Sequence, residues 1–175
     1  MKIMTKRVVV LFICLFLVLG CQDVADELVG KKPEGAKTIN ITMIAKSSEN
    51  PVFLSAKIGA EAAAQEISEK YSMIDVKIEW RTPQFESAYG QAEKIANAIK
   101  DGTDAIIVSC SDDSILTAAI NSAVDSGVVV MTFDSDAPKS KRFAFYGPVD
   151  EEIGEKVMNE LAGLIGEEGE IAILG

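Results

Sequence analysis

Polar and acidic side chains gather in five segments of the sequence, each of which follows a short apolar run. These segments are rich in Ser, Thr, Asp, Asn and Gln, and aromatic residues stand close to the first two of them. The segments are residues 46–50, 81–87, 110–114, 134–141 and 148–152, and the aromatic residues are Phe53, Trp80 and Phe85. Carboxylates and amides bind hydroxyl groups, and aromatic faces pack on the C–H faces of a sugar ring. These residue types together favour a binding site for a small polyhydroxylated ligand.

Single residues of this set also have simpler structural interpretations. Asn50 precedes Pro51 and is a good helix N-cap, and Phe53 also fits the buried stripe of the helix that follows. Ser109 ends an apolar run, where its hydroxyl can serve the backbone alone. Asp134 is harder to explain by structure alone, because a charge directly after a fully apolar strand is costly unless it has a partner.

Catalysis has little support in the sequence. The chain has no histidine, which excludes His-based triads and most zinc sites. No Gly-x-Gly-x-x-Gly or Walker loop follows the first apolar run, so these nucleotide-binding loops are excluded. The sequence indicates no base that could activate Cys110. The capping of a helix start explains Asp112 and Asp113. We therefore expect a protein that is not an enzyme and that uses no cofactor and no metal.

The apolar runs alternate with helical patterns, and this order determines the predicted fold. Runs rich in β-branched or aromatic residues predict strands at residues 39–45, 74–80, 104–109, 128–133 and 142–147. Apolar residues spaced by three or four positions predict a helix in each of the first three intervals. Strands that alternate with helices pair in parallel through right-handed crossovers, with helices on both faces of the sheet. We predict a doubly wound, flavodoxin-like α/β fold, whose ligands bind beyond the carboxyl ends of the strands.

The last part of the chain continues the alternation. Ile153, Val157, Leu161 and Ile165 predict a further helix, and residues 169–175 predict the start of a sixth strand. The sequence stops on that strand, without a helix to close it. This pattern predicts a truncated product or a fragment of a longer protein.

The N-terminus has the pattern of an export signal. Three cations and no acid precede an uninterrupted apolar run that ends in Gly20 and Cys21. The residues before Cys21 resemble the lipobox of bacterial lipoproteins, in which the cysteine is lipidated after cleavage. We predict a lipoprotein signal peptide at 1–20, a flexible tether at 21–38 and a location in the periplasm or cell envelope. An ordinary signal peptide with an incidental cysteine is the alternative.

The chain is acidic. It has 27 Asp and Glu against 17 Lys and Arg, a formal net charge of −10 at pH 7. Removal of the signal would make it more acidic still. Such a surface is repelled by phosphates, so we expect no nucleic-acid partner.

Four motifs in order resemble the periplasmic sugar-binding proteins of bacterial ABC transporters, of the ribose- and galactose-binding type. They are "NPVF" from Asn50, "DGTDAIIVSCSDDS" from Asp101, "AAINSAVDSGVVVMTFDSDAP" from Ala118 and "GPVDEEIGEKVMNELAGLIGEEGEIAILG" from Gly147. In that family two similar lobes close on a sugar, and the closed form docks on a membrane permease. The resemblance implies a first lobe at residues 39–147 and the start of a second lobe at 148–175.

The resemblance also implies roles for single residues. Asn50 and Phe53 match a polar contact and a ring-stacking aromatic, and Ser109 matches a polar contact at the end of the third strand. Asp134 matches the acidic residue that binds sugar hydroxyls, and Arg81 is a looser match. Two departures concern the identity of the sugar, because Val52 replaces a frequent second aromatic and Ser135 stands where an arginine often pairs with the acid.

The resemblance therefore implies a monomer that captures a monosaccharide-like solute for an ABC permease. A second hypothesis is a sugar-sensing domain that feeds a chemoreceptor or a kinase. A sugar-responsive repressor shares the fold, but it would carry a DNA-reading helix pair where this chain has its export signal.

Overall fold

The computed structural model describes residues 32–173, in which five strands alternate with four helices. The elements are β1 (Lys37–Ile44), α1 (Pro51–Lys70), β2 (Ile74–Trp80), α2 (Ala88–Lys100), β3 (Ala105–Val108), α3 (Asp113–Asp125), β4 (Val129–Phe133), β5 (Ala144–Tyr146) and α4 (Asp150–Leu164). The five strands predicted from the apolar runs are confirmed, with ends that differ by two residues at most. The predicted signal peptide and Cys21 lie outside the described residues.

The strands form one sheet in the order β2-β1-β3-β4-β5, and every neighbouring pair is parallel. This is the order of flavodoxin-like sheets, and it confirms the predicted fold class. The direction of winding reverses between β1 and β3. At such a point the chain leaves two adjacent strands toward opposite faces, which opens a crevice beyond their carboxyl ends.

Helices cover both faces of the sheet. The main core lies under α2 and α3, where Ile106 and Val130 from the strands meet Ile95 and Ile120 from the helices, each at most 1% exposed. On β4, Phe133 is three residues after Val130, so its side chain points to the other face. There it meets Phe53 of α1, with the two rings edge to face and their centroids 6.3 Å apart.

Side-chain caps set the starts of three helices. Asn50 accepts a hydrogen bond from the backbone N–H of Val52, and Asp112 accepts one from Ile115. Ser87 does the same for α2. These bonds satisfy backbone donors that have no partner within the helix. The predicted capping by Asn50 and Asp112 is therefore present in the structure.

The buried face of α1 differs from the predicted stripe in its second half. Ile67 and Tyr71 continue the spacing by three or four that predicts a buried stripe from Phe53, yet they are 41% and 48% exposed, whereas Ala64 and Ser68 are buried. Ser68 takes the sheet-facing position because its hydroxyl accepts a hydrogen bond from the backbone N–H of Val76, at 2.8 Å. A polar residue with a local backbone partner thus displaces an apolar one from the interface.

The sixth strand predicted from residue 169 is wrong over its described part. Residues 169–173 are not in a strand, and Ile171 and Ile173 are 43% and 83% exposed. A strand needs a hydrogen-bonded neighbour, and β5 is the last strand of the described sheet. The helix before it, α4, forms as predicted but has no buried residue. None of the helices in residues 32–173 is long and apolar enough to cross a membrane.

We predict that Ile120→Ala lowers the free energy of unfolding by about 2–5 kcal/mol, because it leaves a cavity under a fully buried side chain. Ile58→Ala on α1 is the matched control, since Ile58 is 66% exposed, and we expect a change within about 0.5 kcal/mol. Urea denaturation measures both. Equal losses in the two variants would contradict the placement of the core.

Candidate functional site

The carboxyl ends of the strands bring four of the five polar segments together. Ser47 Oγ donates to the carbonyl oxygen of Gln84 at 2.7 Å, which joins the first segment to the second. The backbone N–H of Cys110 donates to the carbonyl oxygen of Ser135 at 3.0 Å, which joins the third to the fourth. The first and fourth segments meet through an ion pair described next. The residues of the fifth segment, 148–152, are exposed.

Lys46, Ser109 and Asp134 meet at this edge and are called the Asp134 cluster below. Ser109 Oγ donates a hydrogen bond to Asp134 Oδ2 at 2.8 Å, and Lys46 Nζ lies 3.6 Å from the same oxygen. Ser109 is fully buried, whereas the side chains of Lys46 and Asp134 are 23% and 42% exposed. The buried Ser109 therefore holds the carboxylate on its inner side, and the outer side of the carboxylate is open to solvent.

The backbone of Asp134 adopts the left-handed conformation, with φ of 59°. Aspartate is one of the few residues that tolerate this conformation. Its backbone N–H donates to the carbonyl oxygen of Tyr146 at 3.1 Å. Gly147 permits this approach, since a Cβ there would lie 3.0 Å from Asp134 N and 2.6 Å from Phe145 Cζ. The strand end is thus shaped to turn the carboxylate toward Ser109.

Two aromatic rings lie next to the cluster. Phe53 is 5% exposed, so its ring packs within the structure, against Phe133. Phe133 is only half-buried and directly precedes Asp134. Phe133 was not selected from the sequence, because the last residue of an apolar strand is ordinarily a core residue. Its position beside an acidic residue is the signal that distinguishes it.

The other two residues selected from the sequence lie differently. Asn50 is exposed and caps α1, three residues before Phe53, so it belongs to the same edge. Arg81 is not brought to the cluster. Its guanidinium donates to Glu79 at 2.7 Å and to Asp101 at 2.6 Å, and these hydrogen bonds, the one to Glu79 first, raise the pKa of Arg81.

A second ion pair anchors the segment that carries Asp134. Asp136 accepts hydrogen bonds from Arg142 Nε at 2.5 Å, Thr132 Oγ1 at 2.5 Å and the backbone N–H of Ala137 at 2.7 Å. Burial alone would raise the pKa of Asp136, but these hydrogen bonds outweigh it and hold the pKa below its usual value. The local sequence before Pro138 is typical of a turn and does not indicate this ion pair, because Arg142 lies six residues away.

Cys110 is a buried thiol behind the cluster, 4% exposed. Burial, and then the charge of Asp136, raise its pKa to about 12. The thiolate is the nucleophilic form of cysteine, so this thiol stays protonated and unreactive at neutral pH. The structure therefore gives no support to chemistry at Cys110.

A groove of about 660 Å³ lies between the second half of α1 and β2, lined by residues that include Glu61, Ser68 and Asp75. It is at the far end of α1 from Phe53 and does not include the cluster.

Ser111 Oγ lies two residues after Ser109 and is buried without a partner among the described residues. A bound water or hydroxyl would satisfy it.

We predict that Arg142→Gln lowers the free energy of unfolding at pH 7 by about 1.5–3 kcal/mol, because it leaves the carboxylate of Asp136 without its charged donor. Lys141→Gln is the matched control, since the Lys141–Asp125 pair is more than half exposed, and it should cost less than about 1 kcal/mol.

The same pair of variants gives a pH test. The folded-state pKa of Asp136 lies below its unfolded value of about 3.9. Its stabilisation is therefore complete above that pH and is lost as the pH falls through the folded pKa. The difference between wild type and Arg142→Gln should be constant from about pH 5 to 8 and shrink below about pH 4. A difference that grows in acid, measured by urea denaturation, would contradict the assignment.

The chain is similar to known proteins in both sequence and structure. A family model described as "Periplasmic binding protein domain" matches residues 41–175. The ribose import binding protein RbsB of Bacillus subtilis is 25% identical over 167 residues, which are 95% of this chain and 52% of RbsB. The chain therefore spans about half the length of this relative.

Two solved structures show the same likeness. A solute-binding protein of an ABC transporter from Burkholderia graminis, in complex with D-arabinose, is 25% identical with a TM-score of 0.66, over 78% of this chain and 44% of that one. XylFII in its complex with LytSN is 27% identical with a TM-score of 0.63, over 74% and 45%. With the family model matched over most of the described lobe, this chain belongs to the periplasmic binding protein domain family.

Proposed function

We propose that this chain forms one lobe of a solute-binding protein that captures a monosaccharide outside the cytoplasm for an ABC permease and catalyses no reaction. One observation carries the proposal. The Asp134 carboxylate, oriented by Ser109 and facing Lys46, is open at the sheet edge where ligands of this fold bind.

The chemistry of the cluster suits vicinal hydroxyls. A carboxylate accepts hydrogen bonds from two hydroxyl groups, and an ammonium donates to a third oxygen. Phe133 is half-buried and directly precedes Asp134, and its ring would offer an apolar face for the C–H side of a sugar ring. Asn50 stands at the same edge, with an exposed amide. The relatives named above include a ribose import binding protein and a protein in complex with D-arabinose, and this supports a pentose-like ligand.

We further propose that a second lobe of similar size completes the site. The cluster is one wall, and its carboxylate is 42% exposed to solvent. The chain spans about half the length of its relatives, and this supports a second lobe of the whole protein that forms the opposing wall of the site. Charged hydrogen bonds that remain in water contribute little net affinity. The lobe described here should therefore bind sugar weakly on its own.

We predict that D-ribose or D-arabinose shifts the amide NMR signals of Ser109 and Asp134 in this chain, with a dissociation constant on the order of millimolar. Asp134→Asn should weaken this binding about threefold to fivefold, because it removes the charge from a partly exposed acceptor. Asp150→Asn, at the exposed start of α4, is the matched control and should bind as wild type does.

Two outcomes would count against these proposals. Saturation at micromolar sugar would reject the need for a second lobe. Unchanged binding by Asp134→Asn would reject the cluster as the sugar site.

The export proposal rests on residues outside the described range. We propose that Cys21 is lipidated after removal of residues 1–20 and tethers the protein to the cell envelope, as its position after an apolar run and Gly20 suggests. Cys21→Ser should abolish incorporation of labelled fatty acid into the protein expressed in bacteria, whereas Cys110→Ser should not. Labelling that survives Cys21→Ser would contradict the tether.

A sensing role is the second candidate. XylFII, with which this chain shares 27% identity, was solved in complex with LytSN. This likeness to a protein solved with a partner supports a lobe that passes sugar binding to a chemoreceptor or a kinase instead of a permease. The two candidates share the ligand site and differ in the partner. Permease and ATPase genes beside this one would favour transport, and a gene for a signalling protein would favour sensing.

A further inference from the structure

Gln91, in the first turn of α2, has its whole amide buried at the sheet edge that carries the Asp134 cluster. Its side chain is 0% exposed. Nε2 donates to the carbonyl oxygen of Ala45 at 3.0 Å and to that of Ser109 at 2.6 Å. Oε1 accepts from the backbone N–H of Ser111 at 3.0 Å. Both donor hydrogens and the acceptor are therefore used.

The place of this amide in the sheet is specific. The ladder between β1 and β3 pairs Ile44 with Val108, and its last backbone hydrogen bond runs from the N–H of Ser109 to the carbonyl of Ile44, at 3.0 Å. Beyond that bond the two chains separate toward α1 and α3. Ala45 and Ser109 are the first residues after the separation, and Gln91 supplies the donors for their carbonyls. The amide thus spans the crevice where the winding reverses.

Each group that Gln91 holds belongs to the cluster or adjoins it. Ser109 orients Asp134 through its hydroxyl, and Ala45 directly precedes Lys46. The backbone N–H of Ala45 donates in turn to Thr82 Oγ1 at 2.8 Å, so Ala45 is held by side chains through both of its polar backbone groups. One buried side chain therefore sets the separation between the residues that flank the Asp134 carboxylate.

We infer that Gln91 is a positioning residue of the ligand site, which holds Lys46 and Ser109 at the separation that sugar binding requires. The identity of the ligand in this inference rests on the proposed function. The hydrogen-bond geometry of Gln91 does not depend on it. Gln91 does not contact the ligand in this account. It acts through the backbone of Ala45 and Ser109, and any side chain of equal volume without two donors fails to replace it.

The test compares Gln91→Met with Gln65→Met. Methionine is close to glutamine in size but donates no hydrogen bond, and Gln65 is an exposed residue of α1 that serves as the control. Without ligand, Gln91→Met should shift the amide NMR signals of Lys46, Ser109 and Asp134. It should also raise the hydrogen-exchange rate of the Ser111 amide about tenfold or more, while Ile120 stays protected. Gln65→Met should change none of these.

A second measurement uses D-ribose and D-arabinose. The dissociation constant per folded molecule should rise at least about fivefold in Gln91→Met and stay at the wild-type value in Gln65→Met. A residue with a purely structural role would lower Tm and leave the affinity of the folded molecules unchanged, and that result would overturn the inference. If Gln91→Met does not fold, Gln91→Glu keeps the size and the acceptor for Ser111 and provides the same comparison.

The two measurements separate the inference from the proposed function. If wild type binds neither sugar, the proposed function fails, and the ligand-free signals still decide whether Gln91 positions the cluster. Unmoved signals of Lys46, Ser109 and Asp134 in Gln91→Met would overturn the inference even if the sugar binds.

Discussion

The Asp134 carboxylate is held in one orientation by partners from neighbouring strands, although its side chain is 42% exposed. The Ser109 hydroxyl donates to it at 2.8 Å and the Ser135 hydroxyl at 3.2 Å, and the Lys46 ammonium lies 3.6 Å away. Asp134, Ser109 and Lys46 come from the ends of β4, β3 and β1, which the order β2-β1-β3-β4-β5 makes neighbours. The pairing of Asp134 therefore depends on the whole topology, and the topology brings an oriented acceptor to the one edge where a ligand can reach it.

The cluster is fixed from two sides before any ligand arrives. On the side of β1 and β3, the buried amide of Gln91 joins Ala45 and Ser109. On the side of β4, Asp136 is held by Arg142, Thr132 and its own loop. A site built in this way loses little conformational entropy on binding, so more of the interaction energy contributes to affinity.

Much of the fold follows from local patterns in the sequence, whereas the site depends on distant partners. The apolar runs gave the five strands, and Asn50 before Pro51 gave the start of α1, because both signals are local. Ile67 fits the apolar spacing of α1 and Ile171 lies in the predicted sixth strand, yet both are exposed, since burial depends on what covers a residue.

The site residues show the same limit. Arg81 was selected for its position after a strand, but Glu79 and the distant Asp101 hold its guanidinium elsewhere. Lys46 was not selected, although a cation at one strand end and Asp134 at another suggest a pair. Gln91 occupies a buried position of α2. A polar residue four positions before Ile95, on the buried face of the helix, is the sequence signal that was overlooked.

The most direct measurement is a crystal structure of this chain with D-ribose or D-arabinose. The account predicts sugar hydroxyls within hydrogen-bond distance of the Asp134 carboxylate and beside Phe133, and sugar bound only in the groove between α1 and β2 would contradict it.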